Sequence, residues 1–132
     1  MVGALSDTAE YALRAAIHLA RREDEWVRVD EIAEATKVPR NYLSKTLHVM
    51  AREGLLRSSR GPQGGFRLAR PAAETTVLSV VGLFEDVGPG RRCVLGRPQC
   101  SDARPCAAHW RWKPVAEKIR DFFSGTTLAE LR

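Results

Sequence analysis

The sequence of 132 residues has no long apolar run, and this absence excludes one class of protein at once. No stretch of about 18 or more apolar residues occurs, so no membrane-spanning helix and no membrane partner are predicted. The N-terminus also lacks the basic-then-apolar pattern of a signal peptide, because Asp7, Glu10 and Arg14 interrupt it. We therefore expect a cytoplasmic protein with one domain, or with one domain and an added helix.

The motifs of common enzymes are missing as well. No nucleophile–base pair stands out, and the glycine-rich stretch 60–65 lacks the Lys-Ser/Thr ending of a P-loop. We therefore predict that the protein is not an enzyme and takes no small-molecule substrate.

Cysteine is scarce, and its three copies lie in one short segment. Six residues separate Cys93 from Cys100, five separate Cys100 from Cys106, and two separate Cys106 from His109. An odd number of cysteines in a reducing compartment favours metal ligation or redox chemistry over a disulfide framework. Six glycines and prolines interrupt residues 88–105, so these soft ligands are predicted to lie on an irregular loop.

Positive charge is concentrated in one quarter of the chain. Residues 37–71 contain eight basic side chains and one acid, Glu53, which gives this segment a charge of +7, whereas the whole chain carries +5. Such a local patch is typical of a phosphate-binding surface. A solvated charged surface is the plain alternative.

Apolar periodicity predicts three helices in the first half of the chain. The first runs from Ser6 to Arg21, with Asp7 and Glu10 as a capping box. The second runs from Asp30, its expected N-cap, to Thr36, and the third from Arg40 to Glu53. The third helix has an apolar stripe on one face and a polar, basic face opposite, which is typical of the recognition helix in a helix-turn-helix.

The chain after the third helix reads as a β-hairpin. Two alternating segments, 55–60 and 66–70, flank a loop rich in glycine and proline at 61–65. A basic hairpin directly after a recognition helix is a wing. We therefore predict a mainly α fold with a small β-hairpin wing, in which residues 1–86 form a winged helix-turn-helix.

Two further helices are expected beyond the wing. Thr75 or Thr76 would cap a fourth helix that runs through Asp86, and residues 87–106 form the cysteine loop. Residues 107–132 are predicted as a long C-terminal dimerisation helix and tail, with Pro114 starting or kinking the helix. Its apolar stripe would fold back on the domain or pack against a second copy, and it consists of Trp112, Val115, Ala116, Ile119, Phe122 and Phe123.

Three segments together resemble a known family. They are AEYALRAAIHLA at residues 9–20, RGPQGGFRLAR at 60–70, and the cysteine loop. In this order they are similar to the Rrf2 family of bacterial winged-helix regulators, which includes IscR-like and NsrR-like iron–sulfur regulators. The resemblance implies a homodimer with an iron–sulfur cluster, 2Fe-2S or 4Fe-4S, on the loop. Many family members have five residues between the first two cysteines, so the six found here bear on the cluster type.

The resemblance makes Cys93, Cys100 and Cys106 cluster ligands and leaves one coordination position to another side chain. His109 matches the histidine ligand of the IscR-like branch, whereas Glu10 of the partner subunit is the rival, by analogy with other branches. The alternative for His109 is a structural role as a polar residue at the start of a helix, and the alternative for Glu10 is its place in the capping box. A Cys₃His zinc site or thiols that oxidise directly are alternatives.

Candidate DNA contacts follow from the winged-helix arrangement. The base-edge candidates in the major groove are Asn41, Ser44, Lys45 and His48. The phosphate candidates are Arg40, Tyr42 and Arg52, with core packing as the alternative for Tyr42. Arg60, with Gly61 and Gly64 at the wing tip, would enter the minor groove.

We therefore predict a homodimeric transcriptional regulator that binds a pseudopalindromic operator in double-stranded DNA. An iron–sulfur cluster that senses redox, nitric oxide or iron–sulfur status would control this binding. One alternative keeps the fold with a zinc or thiol-redox sensor site. Another class of protein, a cluster carrier or electron-transfer protein, would use the helix-turn-helix only as a scaffold, and the basic patch argues against it.

Overall fold

A computed structural model describes residues 5–87, 93–98 and 101–132. Within these ranges the chain is mainly helical, with one antiparallel two-stranded sheet, so the predicted fold class is confirmed. The elements are α1 (Asp7–Arg21), α2 (Val29–Thr36), α3 (Arg40–Arg52), β1 (Leu56–Ser59), β2 (Gly65–Leu68), a 3₁₀ turn (Ala72–Glu74), α4 (Val77–Val81), α5 (His109–Gly125) and α6 (Leu128–Leu131). None of the described helices is long and apolar enough to cross a membrane.

Helix α1 lies at the centre of the domain and contacts α2, α3, β2, α4 and α6. Its buried face is rich in alanine, and small side chains let the neighbouring helices approach closely. The predicted capping box is wrong. The Ser6 hydroxyl accepts a hydrogen bond from the Ala9 amide at 3.2 Å, whereas Asp7 is already inside the helix. Glu10 instead forms an exposed ion pair with Arg14 at 3.8 Å.

The helix-turn-helix forms from α2 and α3 with one shifted boundary. Arg28, rather than Asp30, occupies the N-cap of α2. Asp30 lies in the first turn of α2, where its carboxylate pairs with Arg40 of α3. The apolar stripe of α3 is buried as predicted, and Gly54 has the left-handed φ of +83° that favours glycine after a helix.

The hairpin pairs Leu56 with Leu68 and Ser59 with Gly65. Val27 adds a third, single-residue bridge, because its amide and carbonyl exchange hydrogen bonds with Phe66 at 2.9 and 2.8 Å. A Cβ on Gly65 would overlap the Val27 carbonyl, so only glycine permits this close approach. The hairpin is therefore anchored to the domain beside α2.

The C-terminal half departs most from expectation. Helix α4 ends at Val81 instead of Asp86, with Gly82 at its C-cap. Pro114 lies inside α5, and the segment expected to be a tail contains α6. Leu128 of α6 is fully buried and packs in the main core with residues of α1, α2 and α3. The C-terminal segment therefore packs on the winged-helix domain of its own chain.

Candidate nucleic-acid interface and cysteine site

Helix α3 presents the polar surface that its sequence predicts. Its buried face consists of Leu43, Thr46, Leu47 and Met50. The opposite face is accessible, because Asn41, Lys45, His48 and Arg52 are exposed and Ser44 is half-buried. Burial of the stripe therefore fixes which side chains of α3 can reach a ligand.

A groove of about 430 Å³ separates this face of α3 from the hairpin. Six of the predicted DNA-binding residues line it, namely Arg40, Ser44, His48, Arg60, Gly61 and Gly64. The other four candidates, Asn41, Tyr42, Lys45 and Arg52, lie on the exposed surface of α3 outside the groove lining. The fold thus brings both halves of the predicted interface to one side of the domain.

Arg28 also lines the groove, and sequence reasoning did not select it. Its guanidinium Nη1 donates a hydrogen bond to the Pro62 carbonyl at the hairpin tip, at 2.9 Å. On the same side, the His48 ring meets the Phe66 ring edge-on at a centroid distance of 5.4 Å. Helix α3 and the start of α2 therefore both contact the hairpin. The sequence signal for Arg28 was weak, because it is a single basic residue within the short β-prone stretch 26–29.

Tyr42 lies largely at the surface, on the side of α3 that faces the first helix. Its side chain is 60% exposed, although its ring meets Tyr11 of α1 at a centroid distance of 6.3 Å. Arg40 is also exposed, and its ion pair with Asp30 is the contact that orients its guanidinium. Both side chains remain accessible on the α3 side of the domain.

Two of the three cysteines lie side by side. The Sγ atoms of Cys93 and Cys106 are 3.2 Å apart, with Cys93 buried and Cys106 half-buried. The backbone amide of Leu95 donates to the Cys93 sulfur at 3.3 Å. This bond, followed by the contact with Cys106, lowers the pKa of the Cys93 thiol because both favour the thiolate. Cys100 lies outside the described residues.

His109 is the first residue of α5, and its side chain is buried. Its Nε2 atom lies 2.6 Å from Oδ1 of Asp102, and Nζ of Lys113 donates to Oδ2 of the same carboxylate at 2.8 Å. The bond from Lys113, and then the one with His109, lowers the pKa of the Asp102 carboxyl. The Trp110 ring lies nearly perpendicular to the imidazole at a centroid distance of 4.7 Å. Sequence reasoning missed Asp102.

The donor atoms suit a metal or cluster only in part. Soft thiolates are the ligands that iron–sulfur clusters and zinc prefer, and two of them already lie together. Among the residues that the structure describes, no three His, Cys, Asp or Glu side chains gather closely enough to hold a metal ion. The rival ligand Glu10 is exposed on α1.

Helix α5 exposes part of its apolar stripe. Val115 and Phe122 are 46% and 47% exposed, and they border an apolar groove of about 400 Å³ with Leu5 and Leu13. Trp112, Ala116 and Ile119 are half-buried. Phe123 follows the first of the two expectations for this stripe, which was to fold back on the domain, although it also lines the apolar groove. Phe123 is only 3% exposed because it packs in the domain's own core with residues of α1 and α4.

The comparisons with known proteins cover nearly the whole chain. The model of the Rrf2 family, described as iron-dependent transcriptional regulators, matches residues 5–132. An HTH-type transcriptional regulator of Aquifex aeolicus is 39% identical over 96% of this chain and 89% of its own length. The HTH-type transcriptional regulator IscR of Serratia proteamaculans is 30% identical over 96% and 77%. Among solved structures, Staphylococcus aureus CymR is 28% identical, with a TM-score of 0.74 and coverage of 96% and 95%, and a structure of its oxidised form is also similar.

Proposed function

Because the chain belongs to the Rrf2 family of DNA-binding transcriptional regulators, we propose that an iron–sulfur cluster on its cysteine loop controls its binding to operator DNA. The single observation that carries the cluster is the contact of the Cys93 and Cys106 sulfurs at 3.2 Å. The relatives are regulators and not enzymes, which also argues against a carrier whose helix-turn-helix is only a scaffold.

The DNA interface in this proposal is the accessible face of α3 together with the hairpin. Asn41, Ser44, Lys45 and His48 read base edges in the major groove. Arg40, Tyr42 and Arg52 contact phosphates, and Arg60 with Gly61 and Gly64 enters the minor groove. Support comes from their position on one side of the domain, around or beside the groove of about 430 Å³. The concentrated positive charge of this segment favours the approach of DNA.

The cluster ligands in this proposal are Cys93, Cys100, Cys106 and His109. Two thiolates on one tetrahedral ion at about 2.3 Å lie about 3.8 Å apart, so the observed sulfur pair needs only a small adjustment to share an ion. The description of the family as iron-dependent transcriptional regulators agrees with this ligand set. A nitrogen ligand is lost or protonated more easily than a thiolate, which suits a site that responds to oxidation, nitric oxide or iron–sulfur status.

A second copy of the chain completes the proposed regulator. The apolar groove beside Val115 and Phe122 is the surface that this copy covers, because an exposed apolar patch of this kind is costly in water. A two-fold dimer presents two α3 helices to a pseudopalindromic operator. Helix α5 connects the groove to the cysteine loop at its N-terminus, so a change of ligation can alter how the two copies are arranged.

The same sulfur contact supports one second candidate, a thiol switch. A disulfide needs the two sulfurs at about 2.05 Å, and the two thiols already touch. The lowered pKa of Cys93 increases its thiolate fraction, which is the reactive form. The similarity to CymR, for which an oxidised form has been solved, agrees with this candidate. A zinc site with the same ligands is a further alternative.

The test is anaerobic isolation of the protein, followed by absorption and electron paramagnetic resonance spectra and by iron, sulfide and zinc analysis. Cluster binding predicts visible absorption with matched iron and sulfide, and loss of both in Cys106→Ser. DNA affinity is then measured with the cluster and after its removal. Equal affinity in the two states would contradict cluster control. Zinc without sulfide would favour the zinc site, and a metal-free protein that forms a Cys93–Cys106 disulfide would favour the thiol switch.

A further inference from the structure

The hairpin tip, residues 60–64, extends beyond the paired strands. The last pair of the ladder is Ser59 with Gly65, so the tip lies outside the hydrogen bonds between the strands. Beneath it, the bridge between Val27 and Phe66 attaches the second strand to the domain. The tip is therefore the part of the wing whose position the sheet alone does not determine.

The tip itself is a tight turn. The Gly64 amide donates a hydrogen bond to the Gly61 carbonyl at 3.0 Å, which places Pro62 and Gln63 at the two central positions of a β-turn. The two common forms of such a turn differ by a flip of the peptide between the central residues. The flipped form requires a left-handed φ at Gln63, and in the described part of the chain Lys37 is the one non-glycine residue with such a φ. The turn therefore has the unflipped, type I form.

Arg28 bonds this central peptide from the start of α2. Its Nη1 atom donates to the Pro62 carbonyl at 2.9 Å, and 34 positions of sequence separate the two residues. Arg28 occupies the N-cap of α2, where a short polar side chain such as Ser or Asp commonly bonds the first turn of the helix. Within the described residues its side chain makes no such capping bond. The guanidinium thus bonds the hairpin instead of the helix.

We propose that Arg28 is a positioning residue for DNA binding, which holds the hairpin tip beside α3 so that both reach the same DNA site. The inference rests on the proposed function for the DNA interface itself. Arg28 and the tip border the same groove as Ser44 and His48 of α3. The bridge at Val27 fixes the backbone immediately before Arg28, so the side chain joins a firmly held part of the domain to the tip. A tip that is ordered before DNA arrives lowers the cost of ordering it on binding.

A direct contact with a DNA phosphate is the competing role for this exposed arginine. The two roles differ in how they combine with Arg60, the tip residue assigned to the minor groove. A phosphate contact acts independently of the tip, so the loss of Arg28 should add to the loss of Arg60. A positioning residue acts through the tip, so the loss of Arg28 should matter little once Arg60 is absent.

The first experiment measures the tip in the full chain without DNA. Amide ¹⁵N relaxation compares wild type with Arg28→Ala. The amides of Gln63 and Gly64 should lose order in the variant, toward the order parameters below about 0.6 that mark flexible backbone, whereas the amide of Leu43 in α3 should not. Arg28→Ser is the matched variant, because serine also lacks the guanidinium but supplies a preferred N-cap. It should loosen the tip as alanine does, although it stabilises the start of α2.

The second experiment measures affinity for a DNA duplex that wild type selects from random sequences. Arg28→Ala and Arg28→Ser should each weaken binding about 3- to 10-fold, the range expected for the loss of one hydrogen bond. In an Arg60→Ala background the further loss should be less than about 2-fold. Arg21→Ala removes the same charge from the exposed end of α1, outside the groove lining, and should bind as wild type does.

Three results would overturn the inference. Unchanged order at Gln63 and Gly64 in both variants would show that Arg28 does not hold the tip. Wild-type affinity in Arg28→Ser would assign the effect of alanine to the start of α2, and full additivity with Arg60→Ala would assign a phosphate contact. If Arg60→Ala alone leaves affinity unchanged, the proposed DNA interface fails, and the order of the tip in the DNA-free protein still decides whether Arg28 holds it.

Discussion

The DNA-facing half and the cysteine half of this chain are held together by different forces. Around α1, α2 and α3 the contacts are apolar and fully buried, with Leu43 and Leu47 showing no exposed area. In the described part of the cysteine loop, polar contacts of Cys93, Asp102 and His109 replace such a core. Apolar packing is insensitive to redox chemistry, whereas thiols and an imidazole respond to it directly. The chain thus combines a stable DNA-binding fold with a chemically responsive segment.

The largest expected effect is a loss of stability after a substitution in the apolar core around α1, α2 and α3. Leu43→Ala should lower the free energy of unfolding by about 2–5 kcal/mol, because it leaves a cavity beneath the recognition helix. Cys106→Ser is its matched counterpart in the cysteine half, and it should cost far less stability while removing the proposed cluster. Urea denaturation measures both. Equal losses of stability would show that the two halves do not differ in this way.

The next largest effect concerns DNA binding without a change of fold. Replacing both Lys45 and Arg60 by Ala should weaken operator binding about 10- to 100-fold and flatten its salt dependence, because fewer cations are released. Fluorescence anisotropy at several salt concentrations measures both quantities. Glu34→Ala on the exposed surface of α2 is the control, and it should leave binding near the wild-type value. Unchanged affinity in the double variant would reject the assigned face.

Two adjacent phenylalanines of α5 offer a direct test of its two sides. Phe122→Asp places a charge in the exposed apolar groove and should give monomers that keep their fold, which sedimentation and circular dichroism would detect. Phe123→Ala should instead lower stability by about 3–5 kcal/mol, because Phe123 fills the chain's own core. A monomeric wild type would end the proposal of a dimer through this surface.

The smallest expected effect is a pH dependence in α1. Burial lowers the pKa of His18 below 6.5, and its Nε2 atom is buried with no hydrogen-bond partner among the residues that the structure describes. The unfolded chain then binds more protons than the folded one, so stability should fall as the pH drops through about 6.5 and level off below the folded pKa. His18→Gln should remove this part of the decline in urea titrations between pH 8 and 5. An identical pH profile in the variant would contradict it.

The elements with a strong period were predictable from the sequence. The stripe of α3 and the alternating hairpin were correct because burial on one face imposes a spacing on apolar residues. Helix α6 was missed because four residues are too few to show the repeat of apolar residues that marks a helix. Its capping box, formed by Thr127 and Glu130, was the local signal that could have found it.

The candidate site was only partly predictable. The donor atoms at Cys93, Cys106 and His109 follow from residue types and the family resemblance. The contact of Asp102 with His109 joins an irregular loop to a helix, and no sequence period encodes such a pair. The surface that Phe123 faces stayed open at the level of sequence, because an apolar stripe does not say whether it faces its own chain or another. Packing of α4 against α5 decides this, and only the fold shows it.

The junction of α4 with the chain after α5 fixes one end of that long helix and leaves the length of the helix to amplify any rotation about it. The Val77 amide donates a hydrogen bond to the Thr126 carbonyl, and the Leu128 amide donates one to the Thr75 carbonyl, both at 2.9 Å. These two bonds attach the carboxyl end of α5 to the start of α4. The 17 residues of α5 extend about 26 Å from there to His109. A rotation of about 5° about this attached end would therefore move the His109 end by about 2 Å, which is about the length of one metal–ligand bond.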